Sequence, residues 1–367
     1  MTLGMADIAL RENVLRALRR REPEWSPFSL SFTPGLQEIF EQKTGQKSVE
    51  EFYDFDFRGA EGGSWENFDK SVFLPYYGGK FPEDAEINMW GVGSRKGSMF
   101  HFTKMIHPIA GLKTPREIEE YPLPDITAGW RMKELAKNIA DVQKRGYAAQ
   151  ASSGTTHLFE LAWGLRGMEQ FLVDLVENEA MARTLLDLLT EINLLVTRRA
   201  AEAGADILIT GDDVATQRGM MMSPELWRKW FKPRLKAIYA TAKKANPDIL
   251  TWYHSDGDCR AVIPDLIAVG LDILNPVQPE CMDPEEIKRQ YGDRLAFWGT
   301  IGTQTTMPFG SPEEVKRVVK ERIETMGRGG GLLLAPTHVL EPDVPWENVH
   351  AFVEACREYG GRGGRNA

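Results

Sequence analysis

The chain has 367 residues, 42% hydrophobic and 26% charged, proportions of a globular chain and unlike those of disordered or collagen-like sequences. Its 44 basic and 53 acidic residues leave a net charge of −9, which repels phosphate backbones and excludes nucleic acid as the expected partner. Three cysteines (Cys259, Cys281, Cys356) are too few for a disulfide framework, and no apolar run approaches the roughly 20 residues of a membrane span, so a reduced cytoplasmic setting is expected.

In chain order, residues 7–20 carry Ile8, Leu10, Val14, Leu15 and Leu18 near helical spacing with charges among them. That pattern predicts an amphipathic helix and not a signal peptide. Pro23 and Pro27 end it, and Phe28–Phe32 alternates like a strand. Residues 35–60 read as a helix running into the aromatic-acidic stretch EEFYDFDFRG. Two short strands follow, joined by a turn through Gly93–Gly97. After residue 115 the rhythm becomes regular. A short helix at Pro115–Tyr121 and a longer one over 131–145 lead to a strand at Tyr147–Ser152. Helices over 166–200 precede the strand Asp206–Thr210. A helix over 223–245 opens on Ser223-Pro224-Glu225, a capping serine and a first-turn proline. Strands at Ile249–Tyr253, Leu271–Leu274, Leu295–Trp298 and Gly331–Leu334 then alternate with helices at Ile263–Val269, 283–291, Ser311–Met326 and Trp346–Tyr359.

Short apolar strands alternating with amphipathic helices imply a parallel sheet covered by helices. No G-x-G-x-x-G or G-x-x-x-x-G-K-[ST] follows a strand, so an open nucleotide-binding sheet lacks its phosphate cradle. Polar residues follow nearly every strand, as on the catalytic face of a barrel. The expected fold is therefore α/β, a (β/α)8 TIM barrel over 116–360. Residues 1–115 are expected to form an irregular cap integrated with it, and 361–367 a disordered tail.

The candidate chemistry sits in those loops. His254, Cys281 and His338 each follow a different strand, and two imidazoles with one thiolate suit Zn²⁺, with Asp256 or a water as the fourth ligand. The plainer alternative is two hydrogen-bonded rim histidines and a small buried cysteine. Gly211-Asp212-Asp213 ends a strand, and its adjacent carboxylates point different ways. Either could act as acid or base or orient a ligand; equally, one could cap a helix. His157 and Glu160, beyond Ser152-Ser153-Gly154-Thr155-Thr156, are candidate pocket residues. Gln217, Met220, Gln278 and Gln304 share that rim and are candidates for cofactor contact. Trp65, Trp90, Trp163, Trp227, Trp230, Trp252 and Trp298 are expected mostly in the core.

At this point the sequence resembles a known group. The pieces LRGMEQFLVDL, GDDVATQRGMMMSPELWRKWFKPRLK, HSDGD, PDLIAVGLDILNPVQPECMDPEEIKRQYGDRLAFWGTIGTQ and GGGLLLAPTHVLEPDVPWENV are similar to the uroporphyrinogen decarboxylase superfamily. The resemblance implies a (β/α)8 barrel and one of two chemistries. Uroporphyrinogen decarboxylases carry an R-Q-A-G-R-Y type motif that grips substrate carboxylates, whereas the early strand here reads PFSLSFTPGLQ. The other branch comprises zinc-dependent methyltransferases that work with corrinoid proteins and thiols, using H-x-C after a strand and a distant cysteine. His254 matches that histidine, Asp256 stands at the first cysteine, and His338 stands near the second. The resemblance thus implies a methyltransferase or O-demethylase component acting on a small methyl donor or acceptor, with Zn²⁺ and a corrinoid on a partner protein. Cofactor-free decarboxylation is the alternative. A homodimer is the base-rate expectation.

Overall fold

A computed structural model describes residues 9–63, 68–95 and 104–362. Seven strands form one sheet: β1 (Phe57–Gly59), β2 (Ala148–His157), β3 (Ile207–Gly211), β4 (Leu250–His254), β5 (Ile273–Asn275), β6 (Ala296–Ile301) and β7 (Leu332–Pro336). They lie in strictly sequential order, and every neighbouring pair is parallel. A doubly wound sheet would reverse its order at a switch point. The segment at Phe28 takes the eighth position. Ser29 N–H donates to the Leu334 carbonyl (2.9 Å), and Leu334 N–H donates to that of Pro27 (3.0 Å). The expected α/β barrel is the fold found.

One seam differs from the rest. Between the Phe28 stave and β1 the sheet is not continuous among the described residues. Pro27 has no N–H to offer there. The carbonyls of Phe55 and Phe57 instead accept from the Arg58 guanidinium, at 2.5 and 2.8 Å. That guanidinium is buried, 3.1 Å from Glu51 and stacked over Tyr147 at 3.9 Å. Phe28 and Phe55 meet edge to face across the seam, 5.6 Å between centroids.

Two staves therefore come from before residue 115, within the stretch expected as cap. The helix expected over 35–60 is two, Pro34–Thr44 and Val49–Tyr53, because Gly45 ends the first in a left-handed conformation (φ 68°). The Phe-rich stretch after them becomes β1, a stave the sequence reading missed. Three short antiparallel strands, Glu86–Ile87, Gly93–Arg95 and Lys104–Ile106, form a separate sheet. The far end of its expected turn, residues 96–97, lies outside the described residues, as do Ile8, Trp65 and residues 363–367 of the expected tail. The helix over 223–245 divides into Pro224–Trp230 and Lys232–Ala245, where Pro233 cannot continue the hydrogen-bond ladder. Ser223, Asp283 and Ser311 cap helices with their side chains, and Ser311 with Glu314 completes a capping box. Among the described residues no helix is long and apolar enough to cross a membrane.

Under the barrel, Asp56 is buried beside Arg362 (3.0 Å) and accepts from the Trp25 indole (2.8 Å). Burial pushes its carboxyl up to about 6, against the pull of Arg362 and the hydrogen bonds from Trp25 and Asn13. The folded chain keeps a proton here that the unfolded chain releases near 4. Stability contributed at this position therefore falls as pH rises from about 4 to 6, by about 3 kcal/mol, and is level above that. Asp56→Asn is expected to flatten that slope in urea unfolding measured across the window. An unchanged slope would place the titration elsewhere.

Candidate active site

The C-terminal ends of the strands converge on one rim. β2 enters it through a bulge. Ser152 pairs with Ile209 and His157 with Gly211, so five residues on β2 oppose two on β3. A bulge re-aims the side chains beyond it, and here it brings His157 over Gly211. A Cβ on Gly211 would lie 2.6 Å from the His157 ring, so only glycine admits the imidazole. His157 Nδ1 is 2.7 Å from Glu160 Oε2. Burial works against a charged imidazole, but the Glu160 hydrogen bond and charge prevail and hold His157 above its usual value. Burial likewise opposes the Glu160 carboxylate, and the same bond keeps that group below its usual range. Glu160→Gln is expected to lower the titration midpoint of His157 followed by NMR. A midpoint that stayed in place would assign the elevation to Asp213 alone.

The two carboxylates after β3 have separate jobs. Asp212 is fully buried, and its Oδ1 accepts from the amides of Phe159 (2.7 Å) and Glu160 (3.1 Å). It therefore caps the helix Leu158–Arg166 from a neighbouring strand, and burial raises its pKa well above the usual range. It lines neither chamber described below, and of the two expectations for these carboxylates it shows the helix-capping one, while a donor atom of its carboxylate also lies within 4.8 Å of donor atoms of His157 and Glu160. Asp213 turns the other way, and its Oδ1 accepts from Asp256 N–H (2.7 Å).

His254 ends β4 and faces Asp213. Its Nδ1 is 2.5 Å from Asn275 Oδ1, and Asn275 Nδ2 donates to the Trp298 carbonyl (2.6 Å). Its Nε2 lies 3.5 Å from Asp213 and 3.9 Å from Asp256. Donor atoms of Asp213, His254 and Asp256 all lie within 4.8 Å of one another. Asp256 Oδ1 is buried without a hydrogen-bond partner. Burial and the Asp213 charge raise the Asp256 pKa, while His254 and His338 oppose this. An imidazole nitrogen and two carboxylates, one oxygen among them unpaired, form a donor set that fits a divalent cation. His338 Nε2 is 3.7 Å from Asp256 Oδ2, at the edge of this set.

Cys281 does not join it. Its sulfur belongs neither to this group nor to the one that His157, Glu160 and Asp212 form, and Cys281 lines neither of the chambers described next. The turn after β5, closed by Cys281 N–H on the Gln278 carbonyl (3.0 Å), carries the thiol onto the hydrophobic core. Burial and nearby acids push its pKa up.

Two chambers adjoin the cation-compatible group. One, of about 530 Å³, is walled by Phe55, Phe57, Trp252 and Trp298 and edged by His157, Glu160, Asp213 and His254. The other, of about 400 Å³, holds Asp256 with Gln217, Gln278 and Gln304. Gln217 Nε2 donates to Gln304 Oε1 (2.7 Å) across its mouth, and Gln278 Oε1 accepts from Gly257 N–H (3.1 Å). Thr337, His338 and Val339 line both. Among the described residues neither chamber is lined by lysine or arginine. Met220 lines neither; it sits in the hairpin Ala215–Thr216/Gly219–Met220 and packs on the core. Trp227, Trp230 and Trp298 are core, as expected, and Trp298 also lines the aromatic chamber with Trp252. Sequence reasoning missed Asn275. Its signal was a polar residue ending a strand in direct register with His254.

The family described as Uroporphyrinogen decarboxylase (URO-D) matches residues 97–359. A methylcobamide:CoM methyltransferase, MtaA, of Methanosarcina barkeri is 29% identical over 199 residues, 54% of this chain and 55% of that one. A uroporphyrinogen decarboxylase of Coxiella burnetii is 25% identical over 191 residues, 50% of this chain and 49% of that one. The chain thus spans about half the length of the curated relatives it matches. A solved methyltransferase from Methanosarcina mazei shares the fold at a TM-score of 0.66 and 20% identity, covering 96% of this chain and 99% of that one.

Proposed function

The chain belongs to the uroporphyrinogen decarboxylase family, and on that premise we propose that it is a Zn²⁺-dependent methyltransferase or O-demethylase component working with a corrinoid carried by a separate protein. One observation carries this reading. His254 Nε2 and the carboxylates of Asp213 and Asp256 converge beside chambers that, among the described residues, no lysine or arginine lines. Asp213, His254 and Asp256 would hold the ion, with His338 at its edge. A bound Zn²⁺ supplies Lewis-acid stabilisation, lowering the pKa of an acceptor thiol or polarising a donor ether oxygen.

The chain's own groups do the rest. Phe57, Trp252 and Trp298 seat a small methyl-bearing molecule and keep water from it. His157, whose hold on a proton Glu160 strengthens, can carry a proton at the chamber wall and give it up to a leaving oxygen. Gln217, Gln278 and Gln304 offer neutral hydrogen-bonding groups to the second reactant. The charge balance disfavours the decarboxylase alternative. A substrate with eight carboxylates would meet Glu50, Glu160 and Asp213 and no lysine or arginine among the described lining residues. The test is a spectroscopic assay of cobalt methylation and demethylation, with free cobalamin, a thiol and aryl methyl ethers, on zinc-loaded protein. Methyl transfer that needs zinc supports the reading. Turnover of uroporphyrinogen by ion-free protein, without methyl transfer, would overturn it.

A further inference from the structure

We propose that Asn275 is a positioning residue that fixes the tautomer and ring plane of His254, so that Nε2 presents a lone pair to Asp213 and Asp256 before any ion arrives. The inference rests on the reading that this group holds a cation.

The logic starts from an acceptor that cannot change its role. The Trp298 carbonyl only accepts, so the Asn275 atom 2.6 Å from it is the amide nitrogen. The other end of the amide is then oxygen, and it too only accepts. His254 Nδ1, 2.5 Å from that oxygen, must carry the proton. In the neutral ring Nε2 is left with its lone pair, facing two carboxylates. Three acceptors turned toward one point repel unless a cation or proton lies among them.

The relay is stiff. Asn275 is buried and pairs with His254 in the β4–β5 ladder, while Trp298 sits on β6 in register with Leu333. The Trp298 indole N–H donates to Ser29 Oγ (3.1 Å), which ties the relay to the first stave. The Trp252 ring stacks on the imidazole, with centroids 5.8 Å apart and planes 14° apart, and so limits its rotation. The chain thus runs from β4 through β5 and β6 to Phe28's segment, four places around the barrel that share no local sequence. Second contacts of this type are usual partners of ligating histidines.

Two variants separate positioning from simple packing. Asn275→Ala removes both the acceptor for His254 and the donor to Trp298. Asn275→Asp keeps an acceptor and loses only the donor. Both are expected to lower Tm. In ion-free protein at pH 8, long-range ¹H–¹⁵N spectra should show wild-type His254 protonated on Nδ1, Asn275→Asp likewise, and Asn275→Ala as a mixture. Zinc affinity by chelator competition should fall about 10- to 100-fold in Asn275→Ala and stay near wild type in Asn275→Asp. A wild-type ring protonated on Nε2, or equal affinity losses in both variants, would overturn the proposal. Wild-type protein with the expected tautomer but no zinc binding would uphold the positioning role and refute the ion reading instead.

Discussion

On the proposed zinc-dependent reading, His254→Ala is expected to abolish divalent-ion binding and to slow methyl transfer on the order of 10³-fold. The substitution removes the nitrogen donor of the three-residue group and leaves Asp213 and Asp256 facing each other, with His338 only at the edge. Asp256 already carries a buried oxygen without a partner and a raised pKa. Without the ion or the imidazole it would protonate, and the pair would close on a shared proton. Elemental analysis of untagged protein measures the loss, and single-turnover rates measure the consequence. A His254→Ala protein that keeps one zinc per chain would sink the assignment. Cys281→Ser supplies the contrast: its thiol lies outside the group, so its metal content should match wild type.

Gly211→Ala has the next largest expected effect. A methyl group there would stand 2.6 Å from one His157 ring atom, 2.7 Å from another, and 3.2 Å from His254 Cβ. No flexible chain end is available to yield, because both neighbours are anchored at strand ends. His157 must swing away, and its pair with Glu160 breaks. Overpacking of this kind costs about 1–3 kcal/mol, and a displacement near 1 Å costs about 10²-fold in rate. Denaturant unfolding and kcat/KM measure the two effects. A variant with normal rates would show that His157 plays no part in turnover. Zinc content should survive, since the methyl presses first on the His157 ring and meets His254 at its Cβ, at 3.2 Å, where a shift of a few tenths of an ångström suffices.

Much of this architecture was legible in the chain. From Tyr147 onward, β-type runs alternate with capped amphipathic helices, and that period alone separates strand from helix. β1 was not legible, because Phe57–Gly59 is three residues of strand after two short helices, too short to show a period. The site was legible in outline, since polar residues just past apolar strands mark a rim. Direction was not. Alternation says that Asp212 and Asp213 diverge, but only the fold says that the first caps a helix and the second meets His254. Cys281 and His338 both follow strands, yet the tight turn at Gln278 sends one to the core while the other borders both chambers. Asn275 reads as the start of a proline turn, and its role exists only through a neighbour 21 positions away.

The barrel is latched at one place and laddered everywhere else. Across the Phe28–Phe55 seam a single guanidinium, that of Arg58, covers the carbonyls that a neighbouring strand would otherwise claim. Hydrogen exchange should therefore enter the wall first at Phe57 and Gly59, by a local parting that leaves the other staves zipped. Glu50 stands 3.8 Å from that latch and also borders the aromatic chamber. Occupancy of the chamber and breathing of the wall thus share one carboxylate.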